Sequence, residues 1–471
     1  MRYSKLLKSP ILTYSAVGIA GALAFPPFGF WPLAAIYIWF IFRKATSAKT
    51  PRQAAGRAFS IAFISGIISY SWLAHPFTFI GQEIVAPIAI AAMAAYLAIF
   101  YGIAAAAANA AKNHKAVIFA ATFALLEWFR GWFLTGFAWN PIASIFADTP
   151  VMLQGLALFG TTGLTALIVY AFTFANKKAS AVILLSLAIF GWIRMPAPAY
   201  TDTTVRLINI DEQNPLRPNP TNFYRQLSLI ASDGHENIDL FVLPESALDT
   251  DPTIDPHAEV LLMEAVNETS NIAFGFTRRD FHAEGHKLYN SLGIADRSGI
   301  VAIYDKKHLV PFGEYMPLRN IIGWHKFTAG ATDFTAGTSS RKIQIGDTAA
   351  APLICYEIIF PQRISRHADY IINISNDAWF GPAGKAQHFA LAQLQAVKQG
   401  LPVIRSVNAG TSAIIDAHGR PSAKFTYAGF IDLPLPKRQP RTFYSLTGDF
   451  FVVPLLFLIL LISLTARKKT L

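Results

Sequence analysis

Long apolar runs follow one another from the start of the chain, at roughly 9–25, 28–42, 58–74, 84–110, 116–135, 151–176 and 180–193, with a last one near 449–466. Several approach the ~20 residues with which a helix crosses ~30 Å of hydrocarbon. The second and seventh are short and draw on flanking aromatic or Ala residues. The pattern predicts about eight transmembrane helices. From Thr201 the period changes to short β-branched runs between turn residues, as in Thr204–Ile208, Leu240–Leu243, Ile272–Phe276, Ile300–Tyr304 and Tyr370–Ile374. These read as buried strands. Helical stretches lie between them, at Asn222–Ser232, His257–Thr269 and Lys385–Lys398. Strands and helices therefore mix in one α/β domain of about 245 residues, enough for a full core. Three regions are expected: 1–195, an α-helical transmembrane bundle of about seven helices; 196–447, the α/β domain; and 448–471, a final transmembrane helix with a basic tail.

Charge sharpens this division. Of the 471 residues 15% are charged, against roughly 25% in ordinary soluble domains, which argues against a purely soluble chain. The net charge of +11 fits nucleic-acid binding, an acidic partner or the positive inner loops of a membrane protein. Position decides. Residues 1–195 hold 14 Lys and Arg but three carboxylates, Glu83, Glu127 and Asp148, so 14 − 3 accounts for the whole excess. The rest of the chain balances, and no nucleic-acid partner is expected.

Every second loop is basic. Arg2, Lys5 and Lys8 precede the first run; Arg43, Lys44, Lys49, Arg52 and Arg57 join the second to the third; Lys112 and Lys115, then Lys177 and Lys178, follow the fourth and sixth; Arg467, Lys468 and Lys469 end the chain. The loops between are nearly free of positive charge. By the positive-inside rule both termini are cytoplasmic and 196–447 lies on the opposite side. The first run lacks a small-residue cleavage site and leads into more spans, so no cleavable signal is expected.

Three places in the α/β domain put reactive side chains at strand ends, where such folds often mount their sites. Glu245 follows the strand Leu240–Leu243 and Pro244. Tyr304–Tyr315 holds Lys306, Lys307, His308 and Glu314 in a Pro/Gly-containing loop. Cys355, the one cysteine of the chain, ends the apolar run Pro352–Ile354 and is followed by Tyr356 and Glu357. Taken singly, each has a plain alternative: a solvated acid, a hydrated basic turn and a small buried hydrophobe. Together they offer a Glu/Lys/Cys set in which a carboxylate takes the thiol proton, the thiolate attacks an acyl carbonyl, and the ammonium and a main-chain N–H stabilise the oxyanion. A single cysteine also excludes an intrachain disulfide and a multi-cysteine metal site.

Pro244-Glu245, Tyr304-x-Lys306-x-His308-Leu309-Val310-Pro311-Phe312-Gly313-Glu314, Cys355-Tyr356-Glu357 and Asn373-x-Ser375-Asn376-Asp377-Ala378-Trp379-Phe380-Gly381 occur in the order and spacing of a nitrilase-superfamily domain. With the apolar runs, and with Phe28-Gly29-x-Trp31-Pro32, Glu127-Trp128-x-Arg130-Gly131, Thr135-Gly136-Phe137-x-Trp139, Gln387-His388 and Arg405-x-x-Asn408, the chain resembles the apolipoprotein N-acyltransferase family of bacterial inner-membrane enzymes. The resemblance implies an αββα sandwich on the periplasmic side, with Glu245 as general base, Lys306 at the oxyanion and Cys355 as nucleophile. It also implies supporting roles for Glu314, Tyr356 and Glu357 beside them. The spacing to Glu314 selects Lys306 over Lys307.

The implied reaction passes a fatty acyl group from a phospholipid donor, phosphatidylethanolamine in the family, through a cysteine thioester to the α-amino group of a diacylglyceryl-modified apolipoprotein. This is the last step of lipoprotein maturation, and it needs no cofactor and no metal. One segment departs from the pattern: Asp211–Pro220 has no tryptophan, and Leu216 or Phe223 are the candidates to supply the missing apolar contact. Aromatics such as Phe28, Phe30, Trp31, Trp72, Phe77, Phe79, Trp132, Phe137 and Trp139 are expected either at lipid access or in an ordinary interfacial belt. The rival readings are a membrane-tethered amidase that transfers to water, a non-catalytic lipoprotein receptor and a transporter. Oligomeric state is not legible.

Overall fold

The computed structural model describes residues 9–216, 219–282, 285–317 and 332–466. The basic residues Arg2, Lys5 and Lys8 and Arg467, Lys468 and Lys469 lie outside the described residues, as does Arg217.

The apolar runs form helices: α1 (Pro10–Leu23), α2 (Pro32–Thr46), α3 (Pro51–Ser69), α4 (Ala86–Ala110), α5 (Lys115–Arg130), α6 (Leu156–Phe172) and α7 (Lys177–Arg194). Pro begins α1, α2 and α3, where its missing N–H costs nothing. The Thr50 hydroxyl and the Asn176 side chain cap α3 and α7 by accepting from Gln53 and Ala179 N–H. Among the described residues one stretch, Glu83–Ala110, is by itself long and apolar enough to cross a bilayer. Pro51–Ser69 with Ser71–Phe79, bent by 54°, makes a second if the pair is one span. Helices thus stand where eight were expected, but most are short. With 14 and 17 residues, α1 and α6 rise only about 21 and 25 Å.

The run expected to continue to 135 stops at Arg130, because Leu134, Thr135 and Gly136 all take positive φ and fold the chain back. Glu127 holds that turn. Its carboxylate accepts from Ile142 N (3.0 Å) and Thr165 Oγ1 (2.6 Å) and pairs with Arg130 (3.3 Å).

The α/β domain contains β1 (Tyr200–Asn209), β2 (Leu240–Val242), β3 (Asn271–His282), β4 (Gly285–Asp296), β5 (Gly299–Asp305), β6 (Ile343–Ile345), β7 (Thr348–Ile354), β8 (Tyr370–Asn376), β9 (Val403–Asn408), β10 (Ser412–Ile415), β11 (Pro421–Phe425) and β12 (Gly429–Pro436). They form two six-stranded sheets, ordered β12-β1-β2-β3-β4-β5 and β11-β10-β9-β8-β7-β6. In each, three neighbouring strands are parallel, β1-β2-β3 and β7-β8-β9, and the flanking pairs are antiparallel. Each of the five strands expected from sequence coincides with an observed one.

Helices α8 (Asn222–Ile230) and α9 (Pro256–Ala265) cover the outer face of the first sheet. Phe223, Ile230 and Leu262 pack there on Phe241 and Phe274. The next helix, α10 (Pro382–Gln399), lies against the second sheet and also against α6 and the turn after α3. All of Ala390–Gln399 is consequently buried. One apolar core runs from Ile41, Phe119 and Ile168 of the helical part through Ile354, Ile372 and Ile404 of the second sheet to Val205 and Ile294 of the first. The last helix, α11 (Asp449–Thr465), packs on α5 through Val452, Val453 and Leu456.

Candidate active site

Three strand ends converge. After β2, Pro244 has no N–H to extend the ladder, and Glu245 turns inward beneath β3. Gly275 of β3 makes this approach possible: a Cβ there would lie 2.7 Å from both Glu245 Cα and Pro244 O. The buried carboxylate of Glu245 accepts from Asn290 Nδ2 at Oε1 and from Asn376 N at Oε2, both at 2.7 Å. Lys306 follows β5, whose last residue is clamped when Arg278 donates twice to Asp305 (3.0 and 2.8 Å) and Ser291 donates once (2.7 Å). Only 1% exposed, Lys306 puts Nζ 3.0 Å from Glu314 Oε1 and 3.7 Å from Glu245 Oε1. Cys355 directly follows β7, buried, with φ at +50°. That left-handed conformation is uncommon for a residue with a Cβ. It turns the chain sharply from strand into the helical turn Cys355–Ile359.

The supporting residues separate by what they touch. Glu314 faces the site: Oε1 accepts from Lys306 Nζ and from Asn290 Nδ2 (2.8 Å), while Oε2 accepts from Val310 N (2.8 Å) and closes its own loop. Glu357 is fully buried and anchors main chain. Its carboxylate takes N–H bonds from Lys307 (2.9 Å), His308 (3.0 Å) and Ile354 (3.0 Å) and the Tyr304 hydroxyl (3.0 Å), tying the lysine loop to the strand before Cys355. Tyr356 donates its hydroxyl to Gly136 O of the helical part at 2.8 Å.

Burial pushes the Glu245 carboxyl up, and neighbouring Lys306 only partly opposes this. Burial also works against the Lys306 charge, but Glu314 and Glu245 outweigh it and hold the ammonium firmly protonated. The Cys355 thiol is pushed up by burial and then by the Glu245 charge, with Lys306 pulling the other way. A neutral thiol thus sits among an ammonium and carboxylates, an arrangement in which its proton leaves only when a base takes it. Among the described residues no group of three or more His, Cys, Asp and Glu is arranged to hold a metal ion.

The six residues singled out from sequence fall in one region, linked directly or through main chain. Other expectations need correction. Phe223 cannot supply the missing apolar contact, because it is buried in the core behind the first sheet. Leu216 is half-buried. Trp72 and Trp139 belong to no interfacial belt: both are buried, tilted against one another and edge-on to Phe380. Phe28, Phe30 and Trp132 are exposed. Asn290 was not legible, since an Asn in the middle of β4 carries no pattern of its own. Gln387 and His388 were visible as a word but without a role.

The family model described as the apolipoprotein N-acyltransferase N-terminal domain matches residues 17–174, and the carbon-nitrogen hydrolase model matches 212–427. Among curated relatives, the apolipoprotein N-acyltransferase of Rhizobium rhizogenes is 32% identical, covering 89% of this chain and 88% of its own. That of Rickettsia prowazekii is also 32% identical, over 94% and 96%. That of Brucella melitensis is 34% identical, over 75% and 74%. A nitrilase-superfamily protein of Saccharomyces cerevisiae, 18% identical, covers 55% of this chain and 97% of its own with a TM-score of 0.39. With relatives of one name matching from the helical part through the α/β domain, the chain belongs to the apolipoprotein N-acyltransferase family.

Proposed function

We propose that the chain transfers a fatty acyl group from a phospholipid, phosphatidylethanolamine in the first instance, to the N-terminal amine of a diacylglyceryl-cysteine apolipoprotein, with Cys355 as nucleophile. The observation that carries this reading is the convergence of Glu245, Lys306 and Cys355 from three strand ends. In the first half-reaction Glu245 takes the thiol proton and Cys355 Sγ bonds to the ester carbonyl carbon. Lys306 faces the oxyanion. The carbon–oxygen bond then breaks, Glu245 returns the proton to the departing alcohol, and a lysophospholipid leaves a thioester behind. In the second the α-amine attacks the thioester, Glu245 takes its proton, and the thiolate departs, leaving an amide. Glu314 fixes Lys306, and Glu357 and Tyr356 hold the elbow around Cys355.

Both substrates are anchored by acyl chains, and exposing them to water would cost ~0.8 kcal/mol per CH₂. A site seated on the membrane avoids that. The apolar runs of the sequence and the alternation of basic loops support a multi-pass inner-membrane enzyme, with both termini cytoplasmic and the α/β domain, residues 196–447, on the periplasmic side. Reporters fused after Thr201 and after Lys468 should lie on opposite sides of the membrane. Enzyme incubated with phosphatidylethanolamine should gain one hydroxylamine-labile acyl mass on Cys355. A Cys355→Ala variant that still N-acylates a diacylated lipopeptide would sink the nucleophile assignment. Free fatty acid as sole product, with lipopeptide present, would favour hydrolysis instead.

A further inference from the structure

The left-handed turn at Cys355 rests on a polar assembly outside the Glu245–Lys306–Cys355 set. The Cys355 carbonyl lies 3.3 Å from His388 Nε2 and 3.5 Å from Asn373 Nδ2. Behind His388, its Nδ1 lies 2.9 Å from Asp377 Oδ1 and 3.1 Å from Arg405 Nη2. Arg405 also donates to Asp377 Oδ2 (2.9 Å) and to Asn373 Oδ1. His388, Asp377 and Arg405 are wholly buried. A carbonyl oxygen can only accept, so the Cys355 contact is a hydrogen bond when Nε2 carries a hydrogen: in a protonated ring Nδ1 donates to Asp377 as well, and in a neutral ring with its hydrogen on Nε2, Nδ1 accepts from Arg405.

The ring plane is fixed from both sides. Trp139 stacks on it at 5.3 Å and 23°, and Phe380 meets it edge-on at 5.4 Å and 80°. Trp139 is in turn held by the adjacent residue of α10. Gln387 Oε1 accepts from Trp139 Nε1 (2.8 Å) and Trp72 Nε1 (3.0 Å), while Nε2 donates to Ser69 O (3.0 Å) and Pro26 O (3.2 Å). Gln387 therefore places all its hydrogen bonds on the helical part, and His388 points its donor at the nucleophile. Buried ion clusters are often no more stabilising than apolar packing. Aiming one donor at the strained residue gives this one a specific use.

We propose that His388, oriented by Asp377 and Arg405, is a positioning residue that donates to the Cys355 carbonyl and so holds the thiol toward Glu245 and Lys306, with Gln387 fixing the same turn of α10 to the helical part. The proposal rests on Cys355 being the nucleophile. A Gln side chain places its amide near Nε2 of a histidine, whereas Asn places it near Nδ1. The test compares His388→Gln, His388→Asn and His388→Leu in full-length enzyme in detergent, by single-turnover thioester formation from phosphatidylethanolamine. His388→Leu and His388→Asn should lose ~100-fold in the limiting acylation rate, the scale of an ångström-sized misplacement. The phospholipid concentration at half-maximal rate should stay within about twofold, and His388→Gln should recover to within about fivefold of the parent rate. Overturning results are acylation by the Asn or Leu variant near the parent rate, a Gln variant no better than Asn, or a Gln variant that does not fold. Cys355→Ala run alongside separates the two readings: residual acylation there indicts the nucleophile, whereas a dead Cys355→Ala with an active His388→Asn indicts only the positioning role.

Discussion

Replacing Glu357 by Gln asks whether the lysine loop and the cysteine elbow are held as one piece. The carboxylate meets the N–H groups of Lys307, His308 and Ile354 at 2.9–3.0 Å and the Tyr304 hydroxyl. A Gln has one acceptor oxygen. With that oxygen toward Lys307 and His308, its amide faces the Ile354 N–H, and two donors confront each other; the flipped amide confronts two N–H groups instead. A buried donor left unmet costs ~1–3 kcal/mol, and loss of the ionic character of the remaining bonds costs ~1 more, so destabilisation of about 2–4 kcal/mol is expected, the Tyr304 hydroxyl turning to accept from the new amide. Lys306 is next to one of the released N–H groups, and a shift of about 1 Å there should slow acylation by ~100-fold. Unfolding of detergent-solubilised enzyme and single-turnover thioester formation give the two quantities. Unchanged melting together with acylation within threefold of the parent enzyme would refute the pinning role.

Gly275→Ala should lower stability by about 1–3 kcal/mol and acylation by at least ~10-fold, because its Cβ would meet the Glu245 and Pro244 main chain at 2.7 Å. Steady-state rates and melting check it. The acylation rate should fall on the acid side as Glu245 gains its proton, at a pH above the ordinary carboxylate value, since burial raises this group. Asn290→Ala removes a hydrogen bond that favours the charged form, so this limb should move to higher pH in a rate–pH profile. Burial pushes Asp377 up, but His388 and Arg405 outweigh it and bring it from 3.8 to about 2. Its folded value is depressed, so its stabilisation of about 2.5 kcal/mol is present above the unfolded value and is lost as pH falls from about 4 towards 2. Melting against pH should show that loss in the parent and not in Asp377→Asn.

Helix positions were legible because apolar runs are local signals. Most strands read from sequence, such as Tyr370–Ile374, are apolar runs buried on both faces; Ile300–Tyr304, with Val301 exposed, was legible from its β-branched residues alone. Short strands such as β6 and β10, of three and four residues, offer too little pattern. Glu245, Lys306 and Cys355 were legible as strand-end residues and as words in order. Their partners were not: Asn290 reaches Glu245 across 45 positions, and Trp72 reaches Gln387 across 315. Nor does the helical pattern of Lys385–Lys398 single out Gln387 and Gln393 as buried. Both are buried because the carbonyls they meet come from distant chain, as Gln393 does with Ala147 O at 3.2 Å and Gly419 O at 2.9 Å.

The enclosure of α10 bears on how the molecule is made. Cut free near residue 196, the α/β domain would open to water a helix face bearing Leu391 and Leu394, both buried in the intact chain beside Trp128 and Pro141. Gln387 would lose both carbonyls that receive its amide, and Gln393 would lose Ala147 O while keeping Gly419 O. Such a fragment would be sticky, and His388 would lose the Trp139 ring that steadies it. Helices α1–α7 precede Cys355 in the chain, and their folded surface is the template on which the last wall of the sandwich closes. Completion of the thiol site is thereby tied to the helical part being folded beside it.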